Sequence, residues 1–305
     1  MNLELSDAAA EYGRHARDAF AAGGGDELVV CADADPARRE ELIGPILRDL
    51  SAFDLRPRED PDELEAAAAL CRSAGHWALP YPLAECLAAP SDIDADGLIV
   101  VADHLPAGAV TGLQKRWVTV TLAGTRCRVV GQSPVSAASV AELQLAVIDR
   151  HGAADVALGL VLPCWTLLGM LDRALDLTVA HVQLRHQFGK PLSEFQGVQF
   201  QLTEAEVERS GADMLARYAL WSIATGRPEA IDDALALRLA AVEAAEVVLR
   251  ICHQLHGAVG FCDETALSWL SRYSQPLRRL PWAVSATRDL LARRVERAGL
   301  TGLFG

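Results

Sequence analysis

Twelve consecutive residues, Arg185-His186-Gln187-Phe188-Gly189-Lys190-Pro191-Leu192-Ser193-Glu194-Phe195-Gln196, gather the side chains of this chain best suited to holding a charged ligand. Arg185 is permanently charged and offers a planar fork of N–H donors that matches phosphate oxygens two at a time. Gln187 and Gln196 add amides that can place single hydrogen bonds, and Phe188 adds a flat apolar ring. A phosphate with a planar ring beside it suits such a set. The same residues also suit a plain helical hairpin with a solvated arginine, and spacing alone leaves both readings open.

The elements that must position this turn are legible on either side. From Asp155 to Leu184 apolar residues recur at helical spacing, with Val156, Leu160, Leu167, Met170, Leu171, Ala174, Leu177 and Val182 on one face. Gly189 and Pro191 break that helix, because Pro lacks an N–H and Gly tolerates left-handed backbone. Ser193 and Gln196 form an S-x-x-Q capping box, which predicts that the next helix starts there. Helices are expected near 153–186, 194–225, 229–256 and 264–299, divided by Gly189-Lys190-Pro191, Gly226-Arg227-Pro228 and the Gly257–Gly260 segment. Pro163 implies a kink in the first or a later start. Long helices joined by short turns predict an antiparallel four-helix bundle over residues 140–305.

Upstream, residues 1–90 read as a helical domain. One helix is expected over Ala8–Ala22, ended by the flexible turn Gly23-Gly24-Gly25, and another over Pro36–Phe53. A third opens at Asp60-Pro61, with Asp as N-cap and Pro at the first position, and closes near Ser73–Gly75. Residues 91–139 change character. Leu98–Val101, Arg116–Leu122 and Cys127–Val130 read as strands of a small β domain of three or more strands. The fold class is therefore mostly α with a small β domain.

Composition bounds the function. The net charge of −13 argues against nucleic acid or an anionic membrane surface as partner. Seven cysteines without a C-x-x-C pair fit a reduced, cytoplasmic protein, and no secretory leader or charge-free transmembrane run is read. No metal site is expected. None of the eight histidines follows a Glu at the i+3 spacing of a di-iron bundle, and His253-x-x-His256 lacks an evident third ligand. A nucleophile elbow for acyl hydrolysis and a Walker loop are both missing.

The motif R-x-Q-F-G-x-P-L-x-x-F-Q at Arg185–Gln196 resembles the signature of the acyl-CoA dehydrogenases, flavoenzymes that desaturate acyl-CoA thioesters between Cα and Cβ. Gln254-Leu255-His256-Gly257-Ala258-Val259-Gly260 is similar to the family's Q-x-x-G-G-x-G segment, with Ala258 in place of one Gly. The resemblance covers roughly Gly152 to Arg297. It implies FAD as cofactor, acyl-CoA as substrate, N-terminal helices, a middle β domain and a C-terminal four-helix bundle. It also assigns roles. Arg185 pairs with the pyrophosphate, Phe188 stacks on the adenine, and Gln187 and Gln196 supply hydrogen bonds. Gln254, Gly257 and Ala258 of a neighbouring subunit complete that half of the site.

Two departures follow from the same resemblance. The T-E-P-x-x-G-S-D-like loop of the family's middle domain is missing, so the β domain is abbreviated. The catalytic Glu usually found after the glycine segment falls here near Pro281. Asp155 and Asp172 flank the other position the family uses for a base, and each reads more naturally as a helix-start or surface residue. Some bacteria, notably in steroid side-chain degradation, use α2β2 acyl-CoA dehydrogenases in which a shorter, degenerate subunit helps to bind FAD beside a longer one that carries the base. The chain resembles that shorter subunit. A heterotetramer with a longer homologue is thus implied, or else self-association. The alternatives are a structural homologue without flavin and a flavoprotein that oxidises a non-CoA substrate.

Overall fold

A computed structural model describes residues 3–110, 113–134 and 140–298. The N-terminal helices are α1 (Asp7–Ala22), α2 (Asp26–Ala34), α3 (Arg39–Asp49), α4 (Pro61–His76) and α5 (Leu83–Leu87). Ser6 caps α1, accepting from the Ala9 N–H at 3.3 Å, and Asp60 caps α4, accepting from the Asp62 N–H at 2.8 Å. The glycine triplet is a tight joint from which α2 starts at once, with Gly24 and Gly25 both at positive φ. The expected helix over Pro36–Phe53 is instead three pieces: 3-10 turns at Pro36–Arg38 and Ala52–Asp54 flank α3.

Five strands follow: β1 (Gly97–Val100), β2 (Ala107–Gly108), β3 (Trp117–Val120), β4 (Arg126–Pro134) and β5 (Ala141–Asp149). They form one sheet in the order β1-β3-β4-β5-β2, with β1 and β3 parallel and the other pairs antiparallel. The sheet runs past residue 139, because β5 belongs to it. Only the first half of β5 alternates inward and outward, with Ala141 and Leu143 buried, whereas Val147 and Ile148 are exposed. Its sequence therefore lacks the full period-two signal of a half-buried strand.

The C-terminal part holds α6 (Ala153–Leu184), the two-residue strands β6 (His186–Gln187) and β7 (Lys190–Pro191), then α7 (Gln196–Ala224), α8 (Ala230–His256), α9 (Ala266–Arg279) and α10 (Val284–Ala298). Long helices in a bundle, N-terminal helices and a short sheet are the architecture the sequence implies. Three details differ. Helix α6 runs unbroken through Pro163. The single helix expected over 264–299 is two, because Pro281 offers no N–H and pushes Leu280 to extended backbone (φ −105°, ψ 145°). The capping box at Ser193 does not form: Ser193 lies in a 3-10 turn, Leu192–Glu194, and Phe195 is the N-cap residue of α7 without a side-chain cap bond.

Helix α6 is the axis of the core. Trp165, Leu162, Leu168 and Leu171 on it have no exposed surface. Among the described residues it is the one helix long and apolar enough to cross a membrane, and it is largely buried inside the protein. It crosses α4 with the two backbones in contact. A Cβ on Gly75 would stand 1.9 Å from the Thr166 carbonyl oxygen, and one on Gly169 1.9 Å from that of Arg72. Beside this crossing Arg72 grips Asp172 at 2.6 Å and Asp213 at 2.5 Å, and Arg209 reaches Asp172 at 3.2 Å, which ties α4, α6 and α7 together. At the outer face, Arg288 of α10 pairs with Glu243 of α8 at 2.5 Å, and Arg294 pairs with Asp232. The arginines of α10 thus serve in part to hold it on α8.

Candidate functional site

Helices α6 and α8 run in the same direction, so their C-terminal ends lie together. The His181 and His256 rings stack there with centroids 4.4 Å apart. This contact brings the Arg185–Gln196 turn and the Gln254–Phe261 segment to one end of the bundle. Partial burial first, then the neighbouring His256 and Arg185, holds the His181 imidazole below its usual range. His253 turns elsewhere and stacks on Phe261 at 4.3 Å. Among the described residues no three His, Cys, Asp or Glu side chains are placed to share a metal ion.

The turn itself is a small hairpin. Strands β6 and β7 pair, and the Leu192 N–H donates to the Arg185 carbonyl at 2.8 Å. Phe188 and Gly189 both take positive φ, 53° and 83°. This reversal throws the Phe188 ring outward, and the residue is 92% exposed. Lys190 stands 4.4 Å over the Phe195 ring, and its ammonium donates to the Glu194 carbonyl at 3.1 Å. The side chains of Arg185, Gln187, Gln196 and Gln254 are exposed, and among the described residues none of them bonds to another protein group. Gln199 rather than Gln196 braces the turn, donating to the Ser193 carbonyl at 2.9 Å.

The glycine segment is also open. Gly257 takes φ 65°, ψ −146°, a conformation costly for other residues, and a Cβ there would meet nothing within 4 Å. Ala258 is exposed beside it, in the 3-10 turn Gly257–Phe261. An unpartnered guanidinium, free amides, an outward ring and bare backbone at one end of a bundle can hold a diphosphate and a flat heterocycle. A cavity of about 640 Å³ lies among the N-terminal helices around Phe53, Arg58, Leu87 and Lys115 and shares no wall with these motifs.

The two carboxylates considered as bases are both neutralised. Asp155 lies 2.8 Å from Arg58 and 3.5 Å from Arg126, and Asp172 is held by Arg72 and Arg209. A different carboxyl lies opposite position 281. Glu85 of α5 lines a cavity of about 40 Å³ together with Gly159 and Leu160 of α6, Arg238 of α8 and Leu280-Pro281. It also lines a second cavity, of about 70 Å³, with Tyr81, Met170 and Tyr273. Burial pushes the Glu85 carboxyl up to about 7, and its own backbone N–H opposes that only in part. The sequence reading overlooked Glu85. Its signal was one acid inside the apolar run Leu83-Ala84-Glu85-Cys86-Leu87. Arg238 is buried and donates to the carbonyls of Leu277, at 3.1 Å, and Trp282, at 2.6 Å, so it clamps both arms of the Pro281 turn.

Residues 161–295 match the model of the acyl-CoA dehydrogenase C-terminal domain. Over this stretch the chain is similar to the acyl-CoA dehydrogenases. Acyl-CoA dehydrogenase FadE28 of Mycobacterium tuberculosis is 39% identical over 92 residues, 30% of this chain and 27% of that protein. The 3-sulfinopropanoyl-CoA desulfinase of Paraburkholderia xenovorans is 33% identical over 126 residues, 41% of this chain and 29% of that protein. The matched stretches thus span under a third of these relatives' length. In fold the likeness extends over nearly the whole chain. A variant of the Tcur3481-Tcur3483 steroid ACAD superposes with a TM-score of 0.81 at 17% identity, covering 96% of this chain and 99% of that one. The ChsE4-ChsE5 complex of Mycobacterium tuberculosis gives 0.75 at 16% identity, covering 97% and 99%. Within the acyl-CoA dehydrogenase frame, the exposed turn and glycine segment both fall inside the matched domain, and so does Pro281.

Proposed function

We propose that this chain is the subunit of a heteromeric acyl-CoA dehydrogenase that helps to hold FAD and leaves the α-proton of the substrate to a longer partner. The reading is carried by one observation: the family's flavin motif is exposed and unpartnered, while the position of its base is Pro281. Arg185 would pair with the pyrophosphate, Phe188 would cover the adenine, and Gln187 and Gln196 would fix its polar edges. The bare backbone at Gly257 would let Gln254 and Ala258 approach the dinucleotide from a neighbouring subunit. When bound, FAD supplies the acceptor for the hydride that leaves the acyl β-carbon. The short sheet supports a partner, because a small middle domain leaves much of a flavin ring to be covered by another chain. The steroid ACAD and the ChsE4-ChsE5 complex share this fold, which makes a two-chain assembly in lipid or steroid metabolism the reading to test.

The test is expression of the chain alone and together with a longer homologue that carries the missing Glu. The chain alone should retain little FAD and show no bleaching of flavin absorbance with acyl-CoA. The pair should co-elute, hold FAD and bleach. Efficient bleaching by this chain alone would overturn the proposal.

A further inference from the structure

The cleft between the N-terminal helices and the sheet has no part in the proposed function. Its cavity of about 640 Å³ is of the size that holds a small-molecule ligand, and such sites favour the seam between two parts of a fold. One wall comes from α3 and the segment after it, with Arg48, Phe53, Leu55 and Arg56. The other comes from the end of α5 and the approaches to β1 and β3, with Leu87, Pro90, Ala95 and Lys115. The cavity opens to solvent, since Arg48, Arg56, Glu59 and Ser91 of its lining are exposed. Leu87 and Pro90 are buried and Phe53 and Leu55 half-buried, so an apolar lining lies behind a charged rim.

The charges at this rim do not cancel. Lys115 is held between the Phe53 and Tyr81 rings, 5.6 and 5.5 Å from their centroids, and pairs with Glu40 at 3.2 Å. Tyr81 also donates to Glu40, at 2.8 Å. Asp96 is bound by Arg116 at 2.7 Å, and Arg58 is taken up by Asp155 at 2.8 Å and by the Ala88 and Ala89 carbonyls. Among the described residues the Arg56 side chain donates only to the Phe53 and Leu55 carbonyls, and Arg48 has no ion pair or hydrogen bond. Two guanidiniums without a counter-charge thus face one unpaired carboxylate, Glu59, in a chain whose net charge is −13. We propose that this cleft binds a small amphipathic anion, with its oxyanion head on Arg48 and Arg56 and its apolar body against Phe53, Leu55, Leu87 and Pro90. The guanidinium fork matches carboxylate and phosphate alike, so the shared chemistry is the oxyanion. The site lies apart from the Arg185–Gln196 turn and does not depend on FAD.

Isothermal titration calorimetry of the full chain with octanoate, octyl phosphate, octylammonium and octan-1-ol tests this. Octanoate or octyl phosphate should bind, and the tighter of the two identifies the head group. Octylammonium and octan-1-ol should bind at least about 10-fold more weakly, because neither can pair with a guanidinium. Arg48→Ala should weaken binding of the anion about 3-fold, and Arg48→Ala together with Arg56→Ala about 10-fold. Ala95→Phe fills the cavity and leaves both arginines in place; it should weaken binding at least about 10-fold and carries the decision if the double variant does not fold. Arg185→Ala should leave binding unchanged, which separates this site from the flavin motif. No heat from either anion at millimolar concentration, equal binding of octylammonium, or an affinity lost with Arg185→Ala and kept with Ala95→Phe would overturn the assignment.

Discussion

Replacing Arg185 by Ala should strip flavin from the assembled protein without loosening its fold. Arg185 follows the last turn of α6 with extended backbone (φ −81°, ψ 118°), and its side chain is exposed and unpaired among the described residues. Removing such a side chain changes folding stability by about 0.5 kcal/mol or less. If the guanidinium pairs with a pyrophosphate, its loss costs about 1.5–3 kcal/mol of binding, or about 10- to 150-fold in Kd. Arg185→Lys keeps the charge and loses the fork, and should fall between the two. Arg227→Ala is the control, because Arg227 lies 5.8 Å from the Trp221 ring and 3.4 Å from Glu229, in a turn with no expected ligand. Fluorescence titration of the coexpressed protein with FAD gives each Kd, and a thermal melt gives each stability. Equal Kd for Arg185→Ala and wild type, or equal losses for Arg185→Ala and Arg227→Ala, would refute the assignment of the turn.

Three further outcomes follow from the interior. Asp155→Asn should destabilise the protein by about 1–3 kcal/mol, because it takes the carboxylate at 2.8 Å from half-buried Arg58, while Arg126 keeps Asp92 and Asp149; calorimetry showing an unchanged Tm would contradict this. Gly75→Ala should cost about 1–3 kcal/mol by forcing α4 off α6, since the new methyl would meet the Thr166 carbonyl at 1.9 Å; a neutral urea midpoint would mean that the crossing gives way freely. Glu85→Gln should change the pH dependence of stability. The folded state raises the Glu85 carboxyl from 4.5 to about 7, so its contribution is fully present below about 4.5 and is lost as pH rises through about 7. At 1.36 kcal/mol per pKa unit the loss approaches about 3 kcal/mol above neutrality. Relative to wild type, Glu85→Gln should therefore melt higher at pH 8 than at pH 5, and an equal difference at both values would count against a raised Glu85.

What was legible in the sequence was local. The 3.6-residue period and the Gly and Pro breaks placed α6, α7 and α8 to within about two residues, because each helix is long enough for packing and propensity to agree. The same signals failed where one residue had two uses. Ser193 could cap a helix, but it is taken up in the 3-10 turn that carries the chain from β7 to Phe195. The apolar end of β5 reads as the start of a helix until β4 is beside it to pair with. The motif residues of the site were legible because a turn between two helix ends exposes its side chains wherever the bundle sits. The fate of the buried acids was not. Asp172 meets an arginine 100 residues away, and Asp155 meets two, from the loop before α4 and from β4. Glu85 has the same apolar flanks that would mark a structural acid, yet α6, α8 and α9 close around it without giving it an ion pair among the described residues, because Arg238 on the same cavity binds two carbonyls instead. A carboxylate's role here is set by which helices arrive beside it, and that is decided by the crossing of α4 with α6 and by the clamp of Arg238 on the Pro281 turn. Local sequence contains neither. The position where the family's base would fall and the acid that faces it lie almost two hundred residues apart, joined only by the packing of the core.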